Sequence, residues 1–211
     1  KSVVIIDWTC KKLSIFMPVL NYFSIIPPQL LPAQLLLNYY RRSESMKNND
    51  NHLRLFVYGT LKKGFWTFDR FCTRAISIEA ATTWGRLNQL PAGFPALEVP
   101  ESSILATGTA DPLADTQTQN TIELPENAMT QPEGDWDLVH GELMTFANPG
   151  FDLPPIDRLE AFDPNGRCVY ARVLVAIDVY GEVTLGWTYK YEATNNGERT
   201  NGNWQGYFES V

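Results

Sequence analysis

The sequence predicts an α+β fold in which short helices accompany a strand-rich core. Five apolar, β-prone runs recur along the chain, and two further segments have helical spacing. The strand-like runs cover residues 53–58, 81–87, 139–146, 170–179 and 183–191. With 44% hydrophobic side chains among 211 residues, the chain has enough apolar surface for a core, and wholesale disorder is not expected.

The first predicted strand leads directly into the first predicted helix. Residues 53–58 form a nearly continuous apolar run, typical of a strand buried on both faces, and the run stops at Gly59. Residues 64–72 are predicted to hold a short helix capped by Thr67. Its inner face would consist of Phe68, Phe71 and Cys72, at positions i, i+3 and i+4.

The second predicted helix lies within residues 153–162. Pro155 suits its first turn, because the N–H that proline lacks has no helical partner there. Ile156 and Leu159 mark a buried stripe, and Glu160, four residues after Ile156, lies on the same side.

The last two predicted strands form a hairpin that turns at Tyr180 and Gly181. On the first of these strands, Tyr170 and Arg172 share one face. Tyr170 is a candidate to bring a hydroxyl to a site, and Arg172 is a candidate partner for a substrate carboxylate or for an acidic group of the protein. A purely structural use of both side chains in the sheet is the alternative.

Charge and cysteine content argue against several classes of protein. The chain has 17 Lys and Arg against 24 Asp and Glu, a net charge of −7, which argues against non-specific nucleic-acid binding. The three cysteines, Cys10, Cys72 and Cys168, form no CxxC pair, so neither a disulfide scaffold nor a structural zinc site is predicted. A reducing compartment fits this cysteine content. The two histidines leave little material for a metal centre or a His-based triad.

Composition divides the chain into an N-terminal segment and one domain with an insertion. Residues 1–45 are apolar and interrupted by prolines, with no charged residue from 13 to 40. Three interpretations stay open for this segment: a non-native upstream translation with Met46 as the true start, which is preferred, a peripheral or signal-like anchor, or a membrane span. Residues 46–211 are predicted to form the domain. Within it, residues 101–137 carry eight Asp or Glu and no Lys or Arg, and are predicted to form an acidic surface insertion.

Two features carry potential chemistry, since GxSxG, P-loop, GxGxxG and HExxH motifs are absent from the sequence. A glycine turn, residues 58–64, follows the first strand, and its N–H groups can converge on an anion or a developing oxyanion. Glu160, facing inward from a short helix, would lose hydration, which raises its pKa toward neutrality and suits proton transfer. An ordinary turn and a solvated carboxylate are the respective alternatives.

Short sequence pieces in a fixed order carry a resemblance to a known family. They are 56–64 (FVYGTLKKG), 84–87 (WGRL) with 93–97 (GFPAL), 140–143 (HGEL), 156–160 (IDRLE) with 170–173 (YARV), and 186–189 (GWTY). In this order they resemble the γ-glutamylcyclotransferase-like family, which includes γ-glutamylamine cyclotransferases and AIG2-like proteins. The likeness spans residues 53–191.

The resemblance implies a small, mixed, strongly curved β-barrel with short helices. By position it also implies that a γ-glutamyl group is held through backbone atoms of Tyr58, Gly59, Thr60 and Leu61, and that Glu160 is the acid/base residue.

The sequence departs from the family pattern at three positions. Ala161 replaces the usual glycine after the glutamate, and Ile156 replaces a leucine. Ala171 stands where many relatives carry an arginine, which leaves Arg172 alone and the substrate subclass open.

The activity that the resemblance implies is cyclisation of a γ-glutamyl amide to 5-oxoproline with release of a free amine. It is an acyltransferase- or lyase-type reaction with no cofactor and no metal, in which Glu160 is the general acid/base. Tyr170 and Arg172, which share one face of their strand, are further substrate-binding candidates. The turn looks more like the γ-glutamylamine branch than the glutathione-degrading branch.

The location and partners expected are those of a cytoplasmic enzyme with a small-molecule γ-glutamyl substrate. No nucleic-acid partner is expected, and no membrane contact unless residues 1–45 are an anchor. The alternative is a non-catalytic AIG2-like module that binds a ligand or a protein in the same cavity.

Overall fold

The computed structural model describes residues 51–166, 168–193 and 197–206. The predictions for residues 1–45 and for Met46 lie outside these described residues. The strands are β1 (Leu53–Val57), β2 (Ala75–Gln89), β3 (Pro95–Glu98), β4 (Ala106–Thr107), β5 (Asp137–Phe146), β6 (Tyr170–Val179), β7 (Glu182–Tyr191) and β8 (Glu198–Arg199). The helices are α1 (Trp66–Phe71), α2 (Pro112–Thr121) and α3 (Pro149–Leu159), with a short 3-10 helix at Glu101–Ser103.

Five strands close into a mixed barrel, in the order β2-β5-β1-β7-β6 and back to β2. The β1 and β7 strands run parallel and pair at Leu55 and Trp187, whereas the other barrel pairs are antiparallel. The barrel closes where Thr82 of β2 pairs with Asp178 of β6. Strands β3 and β8 extend from β2, and β4 adds to β6. The predicted α+β class with a small curved barrel is confirmed.

The β1 strand is buried on both faces, as its continuous apolar run predicts. Leu53 and Leu55 belong to one apolar cluster, which also contains Ile156 of α3. Phe56 belongs to a second cluster, together with Leu143 of β5. Because both faces are fixed by packing, the end of β1 is a firm base for the turn that follows it.

The α1 helix ties this turn to the barrel. It begins at Trp66 with Phe65 as its N-cap, so the prediction that Thr67 caps the helix is wrong. The Thr67 hydroxyl instead donates a hydrogen bond to the backbone carbonyl of Thr60. The predicted inner face is confirmed, because Phe68, Phe71 and Cys72 pack in the core.

The α3 helix begins earlier than predicted. Its first residue is Pro149, and Pro154 and Pro155 both lie inside it, so the prediction of a first turn at Pro155 is wrong. Proline is best tolerated at the first helical position, which Pro149 occupies, while Pro154 and Pro155 cannot donate intrahelical hydrogen bonds. Ile156 is fully buried, and Glu160 is the C-cap of the helix.

The acidic segment 101–137 is more than the surface loop that its composition predicts. It contains β4, which pairs with β6, and α2, whose N-cap Asp111 accepts a hydrogen bond from the Leu113 amide. Asp115 and Gln119 of α2 are buried. The segment is therefore packed against the barrel along part of its length.

The hairpin between β6 and β7 is confirmed. Tyr180 and Gly181 both have positive φ angles, 54° and 88°, as a two-residue turn between twisted strands requires. Among the described residues, every helix is too short or too polar to span a bilayer.

Candidate active site

A cavity of about 380 Å³ lies between the turn after β1 and the end of α3. It brings together Glu160 with the four turn residues named from the sequence. Its lining consists of Phe56, Val57, Tyr58, Gly59, Thr60, Leu61, Trp66, Thr67, Phe94, Pro95, Leu159, Glu160, Ala161, Val169, Tyr170 and Tyr189. Of the predicted site residues, Tyr58, Gly59, Thr60, Leu61, Tyr170 and Glu160 therefore share one cavity, and Arg172 does not line it.

The turn at residues 58–61 is held in a fixed shape. The Lys62 amide donates to the Gly59 carbonyl over 3.1 Å, and the Thr60 carbonyl accepts the Thr67 hydroxyl. A Cβ atom added at Gly59 would lie 2.6 Å from Cγ of Pro95, so only glycine fits at this position without movement. Within the described part of the chain, the Thr60 and Leu61 amides donate no hydrogen bond. Two backbone donors are thus left for an anionic or carbonyl oxygen.

Glu160 is placed by the way α3 ends. Its amide donates to the Ile156 carbonyl over 3.0 Å, and the Phe162 amide reaches back to the Asp157 carbonyl over 2.9 Å. The Ala161 amide bonds the Arg158 carbonyl over 3.3 Å, which completes a Schellman motif. The motif turns the chain sharply after Glu160 and leaves this residue in the cavity wall.

Burial is the main cause that raises the pKa of Glu160 from 4.5 to about 7, and the negative charge of the neighbouring Asp157 carboxylate contributes to this rise. The C-terminal end of a helix also disfavours a negative charge. A hydrogen bond donated to the Glu160 carboxylate would lower its pKa, and no such bond contributes among the described residues. A carboxyl with this pKa can take up and release a proton near neutral pH.

Three tyrosines surround this acid. The hydroxyl of Tyr58 donates to the Tyr189 carbonyl over 2.6 Å, and that of Tyr170 donates to the Pro95 carbonyl over 2.9 Å. The Tyr189 hydroxyl donates to Asp157 over 2.6 Å. Burial is the main cause that raises the pKa of all three, and the nearby Glu160 adds to it. All three therefore stay protonated and give the deep end of the cavity a polar, uncharged wall.

Arg172, a substrate-binding candidate from the sequence, lies outside the cavity lining. Its side chain is 0% exposed and pairs with Asp115 of α2 and with Asp157 of α3. Its guanidinium also lies 4.5 Å from the centre of the Phe162 ring. The alternative given from the sequence, pairing with an acidic group of the protein, is the arrangement found.

Sequence reasoning missed three residues that shape the site. Pro95 fixes the turn from the opposite wall, and Asp157 and Tyr189 form a hydrogen-bonded pair behind Glu160. Asp157 and Tyr189 both lie in pieces quoted for the family resemblance, but no local pattern distinguishes them from structural residues.

Residues 55–126 match the model of a family described as gamma-glutamyl cyclotransferase, AIG2-like. The matched part is about a third of the chain and contains the turn at residues 58–61, whereas Glu160 lies outside it. The family resemblance is confirmed over this part. No curated protein matches the chain in sequence.

Solved structures similar to this chain include YkqA from Bacillus subtilis, an AIG2-like protein from Mus musculus and a protein from Arabidopsis thaliana. Their identities to it are 18%, 16% and 18%, with TM-scores of 0.44, 0.38 and 0.43. The matches cover 72%, 69% and 71% of this chain, and 39%, 80% and 74% of theirs. The chain therefore spans about two fifths of the length of YkqA. Likenesses this distant say nothing about activity.

Proposed function

Because residues 55–126 carry the sequence pattern of the γ-glutamyl cyclotransferase, AIG2-like family, we propose that this protein cyclises a γ-glutamyl amide to 5-oxoproline and releases a free amine. The observation that carries the proposal is the position of Glu160. An acid whose pKa is raised to about 7 shares one cavity with a turn that has two unused backbone donors.

The reaction is an intramolecular aminolysis. The α-amine nitrogen of the γ-glutamyl group attacks its own γ-carbonyl carbon, so a new C–N bond closes a five-membered ring. The C–N bond to the former amide nitrogen then breaks, and that nitrogen leaves as an amine after gaining a proton. The protein mainly has to fold the substrate into the attacking conformation and stabilise the charge on the carbonyl oxygen.

The Thr60 and Leu61 amides are suited to hold the substrate's α-carboxylate or the developing oxyanion. The rigid turn fixes both donors in advance, since Pro95 and Thr67 hold it from two sides. No reorganisation is then needed when charge develops in the transition state.

Glu160 is proposed to accept the proton of the α-ammonium group and deliver it to the leaving nitrogen. A pKa near 7 allows both steps at neutral pH, because neither protonation state is strongly disfavoured. Burial among the cavity side chains is the main cause that keeps this pKa high.

The test is the rate of 5-oxoproline release from a panel of γ-glutamyl amides by the wild type, Glu160→Gln and Glu79→Gln. Glu79 is exposed on β2 and does not line the cavity, so it is the matched control. We expect Glu160→Gln to lose about 10²- to 10⁴-fold in rate while it stays folded, and Glu79→Gln to keep full activity.

Full activity of Glu160→Gln would refute the assignment of the acid/base residue. Binding of γ-glutamyl amides without any 5-oxoproline release by the wild type would instead support the alternative, a non-catalytic binding module.

A further inference from the structure

The cavity changes character from its deep end to its mouth. The deep end holds the buried hydroxyls of Tyr58, Tyr170 and Tyr189 together with Glu160. The mouth is formed by exposed apolar side chains, those of Trp66, Phe94, Leu159 and Val169, which we call the apolar rim. Polar groups thus lie inside and apolar groups lie against solvent, the reverse of the usual distribution.

The apolar rim is a concentration of exposed apolar surface. Ten large apolar side chains are exposed among the described residues, and four of them are these rim residues. Trp66, the most exposed of the four at 66%, stands at the first position of α1. Exposed apolar residues gathered around a cavity, rather than scattered singly, mark a surface that is covered when a ligand binds.

The lining of the cavity offers no charge to a substrate beyond Glu160. None of the described residues that line it is Lys or Arg, and Glu160 is its single acidic side chain. A charged group brought to the rim would lose water without gaining an ionic partner, which costs free energy. An apolar group would instead bury its surface against the rim side chains.

The apolar rim lies where it can contact the part of the substrate that leaves as the free amine. If the proposed function holds, the γ-glutamyl half lies between Glu160 and the turn at residues 58–61, at the deep end. The substituent on the amide nitrogen must then extend toward the mouth and along the apolar rim.

We propose that the apolar rim selects γ-glutamyl amides of uncharged, apolar amines over those whose amine part ends in a carboxylate or an ammonium group. This inference rests on the proposed function, because it assumes that the γ-glutamyl half occupies the deep end.

A matched set of three substrates tests the inference. In γ-glutamyl-n-pentylamine, γ-glutamyl-diaminobutane and γ-glutamyl-5-aminopentanoate, the same four-carbon chain ends in a methyl, an ammonium and a carboxylate group. We expect the kcat/KM of the pentyl compound to exceed that of each charged compound by at least about tenfold, as for other apolar pockets. Equal values, or preference for a charged compound, would overturn the inference.

Two variants connect this preference to the rim. Trp66→Ala should lower kcat/KM for the pentyl compound by about fivefold or more and change the charged compounds little, because only the pentyl group contacts the indole. Val169→Lys should reduce the difference in kcat/KM between the pentyl compound and the carboxylate compound, since the lysine supplies a cation at the mouth of the cavity. Phe151→Ala is the control, because Phe151 is 61% exposed on α3 and lies outside the cavity lining.

Binding to Glu160→Gln, measured by calorimetry, separates failure of this inference from failure of the proposed function. Tighter binding of the pentyl compound with no 5-oxoproline from the wild type would refute the reaction and support the rim preference. Turnover of all three compounds with no preference in binding would support the reaction and refute the rim preference. No binding of the pentyl compound together with no 5-oxoproline from the wild type would refute both.

Discussion

Glu160 should make the protein less stable at neutral pH than a neutral isostere would. A group whose pKa is higher in the folded state than in the unfolded state keeps its proton longer when folded. The pKa of Glu160 rises from 4.5 to about 7 on folding, so between these pH values the native protein binds more protons than the unfolded chain. The free energy of unfolding therefore falls as the pH rises from 4.5 to about 7, and below 4.5 the penalty is absent.

The size of this effect follows from the pKa values. Each pKa unit corresponds to about 1.4 kcal/mol, so the rise to about 7 corresponds to a penalty of about 3 kcal/mol once both states are ionised. Glu160→Gln removes the charge and keeps the shape of the side chain. We expect this variant to be more stable than the wild type by up to about 3 kcal/mol at pH ~8, and to differ by less than about 0.5 kcal/mol at pH ~4.

Urea denaturation of the wild type and of Glu160→Gln at both pH values measures this difference. Glu79→Gln is the control, because an exposed glutamate should give no pH-dependent gain. A stability gain that is equal at both pH values, or a loss at pH ~8, would show that the carboxylate is not destabilised by its surroundings. The predicted combination, higher stability with lost cyclisation, is typical of residues kept for function.

Two further changes test the supports of the site. Gly59→Ala brings a Cβ to within 2.6 Å of Pro95, so we expect the free energy of unfolding in urea to fall by about 1–3 kcal/mol and the rate of cyclisation to fall as well. Gly150→Ala is the control, because the space around its Cβ is open and the change should cost no stability. Equal stability of the two variants would contradict this expectation. Arg172→Met leaves the buried Asp115 carboxylate without its cation, so we expect the free energy of unfolding in urea to fall by about 3–5 kcal/mol. A fall of less than about 1 kcal/mol would show that the ion pair is not needed for stability.

Strands β1 and β6 were predictable because they are buried on both faces and leave nearly continuous apolar runs. The bounds of β6 match the prediction, 170–179, while β2 begins at Ala75 rather than at residue 81. The first half of β2 includes exposed positions such as Ile76 and Glu79, so its sequence lacks the buried pattern that identified the other strands. Apolar patterning therefore locates buried strands and misses the parts that face solvent.

The site was predictable only where its chemistry is local in sequence. The turn at residues 58–61 and Glu160 are recognisable in short sequence pieces that carry the family resemblance, whereas the partner of Arg172, Asp115, lies 57 positions earlier in a segment predicted as a surface loop. The contact between Tyr189 and Asp157 joins two elements 32 positions apart. Local spacing does not encode such pairings, because only the closed barrel brings these elements together.

Ala161, at a position where the sequence resemblance implies a glycine, has a backbone conformation that favours glycine. Its φ of +50° is left-handed, as the position after a helix C-cap in a Schellman motif requires. For a residue with a Cβ, this left-handed conformation raises the free energy of the folded state by about 1–2 kcal/mol. A glycine avoids that strain but lowers stability by about 0.4–1 kcal/mol, because it has more conformational freedom in the unfolded chain. We therefore expect Ala161→Gly to stabilise the protein by about 0.5–1 kcal/mol in urea denaturation.

The control for this change is Ala171→Gly in β6, where glycine has no conformational advantage and should destabilise by about 0.5–1 kcal/mol. The hydrogen bonds from Glu160, Ala161 and Phe162 that end α3 are already formed with alanine, so Ala161→Gly should leave the rate of cyclisation unchanged. A large gain in rate would show instead that the alanine methyl group narrows the approach to Glu160. If Ala161→Gly destabilises the protein as Ala171→Gly does, the left-handed conformation at position 161 is not the source of the glycine preference.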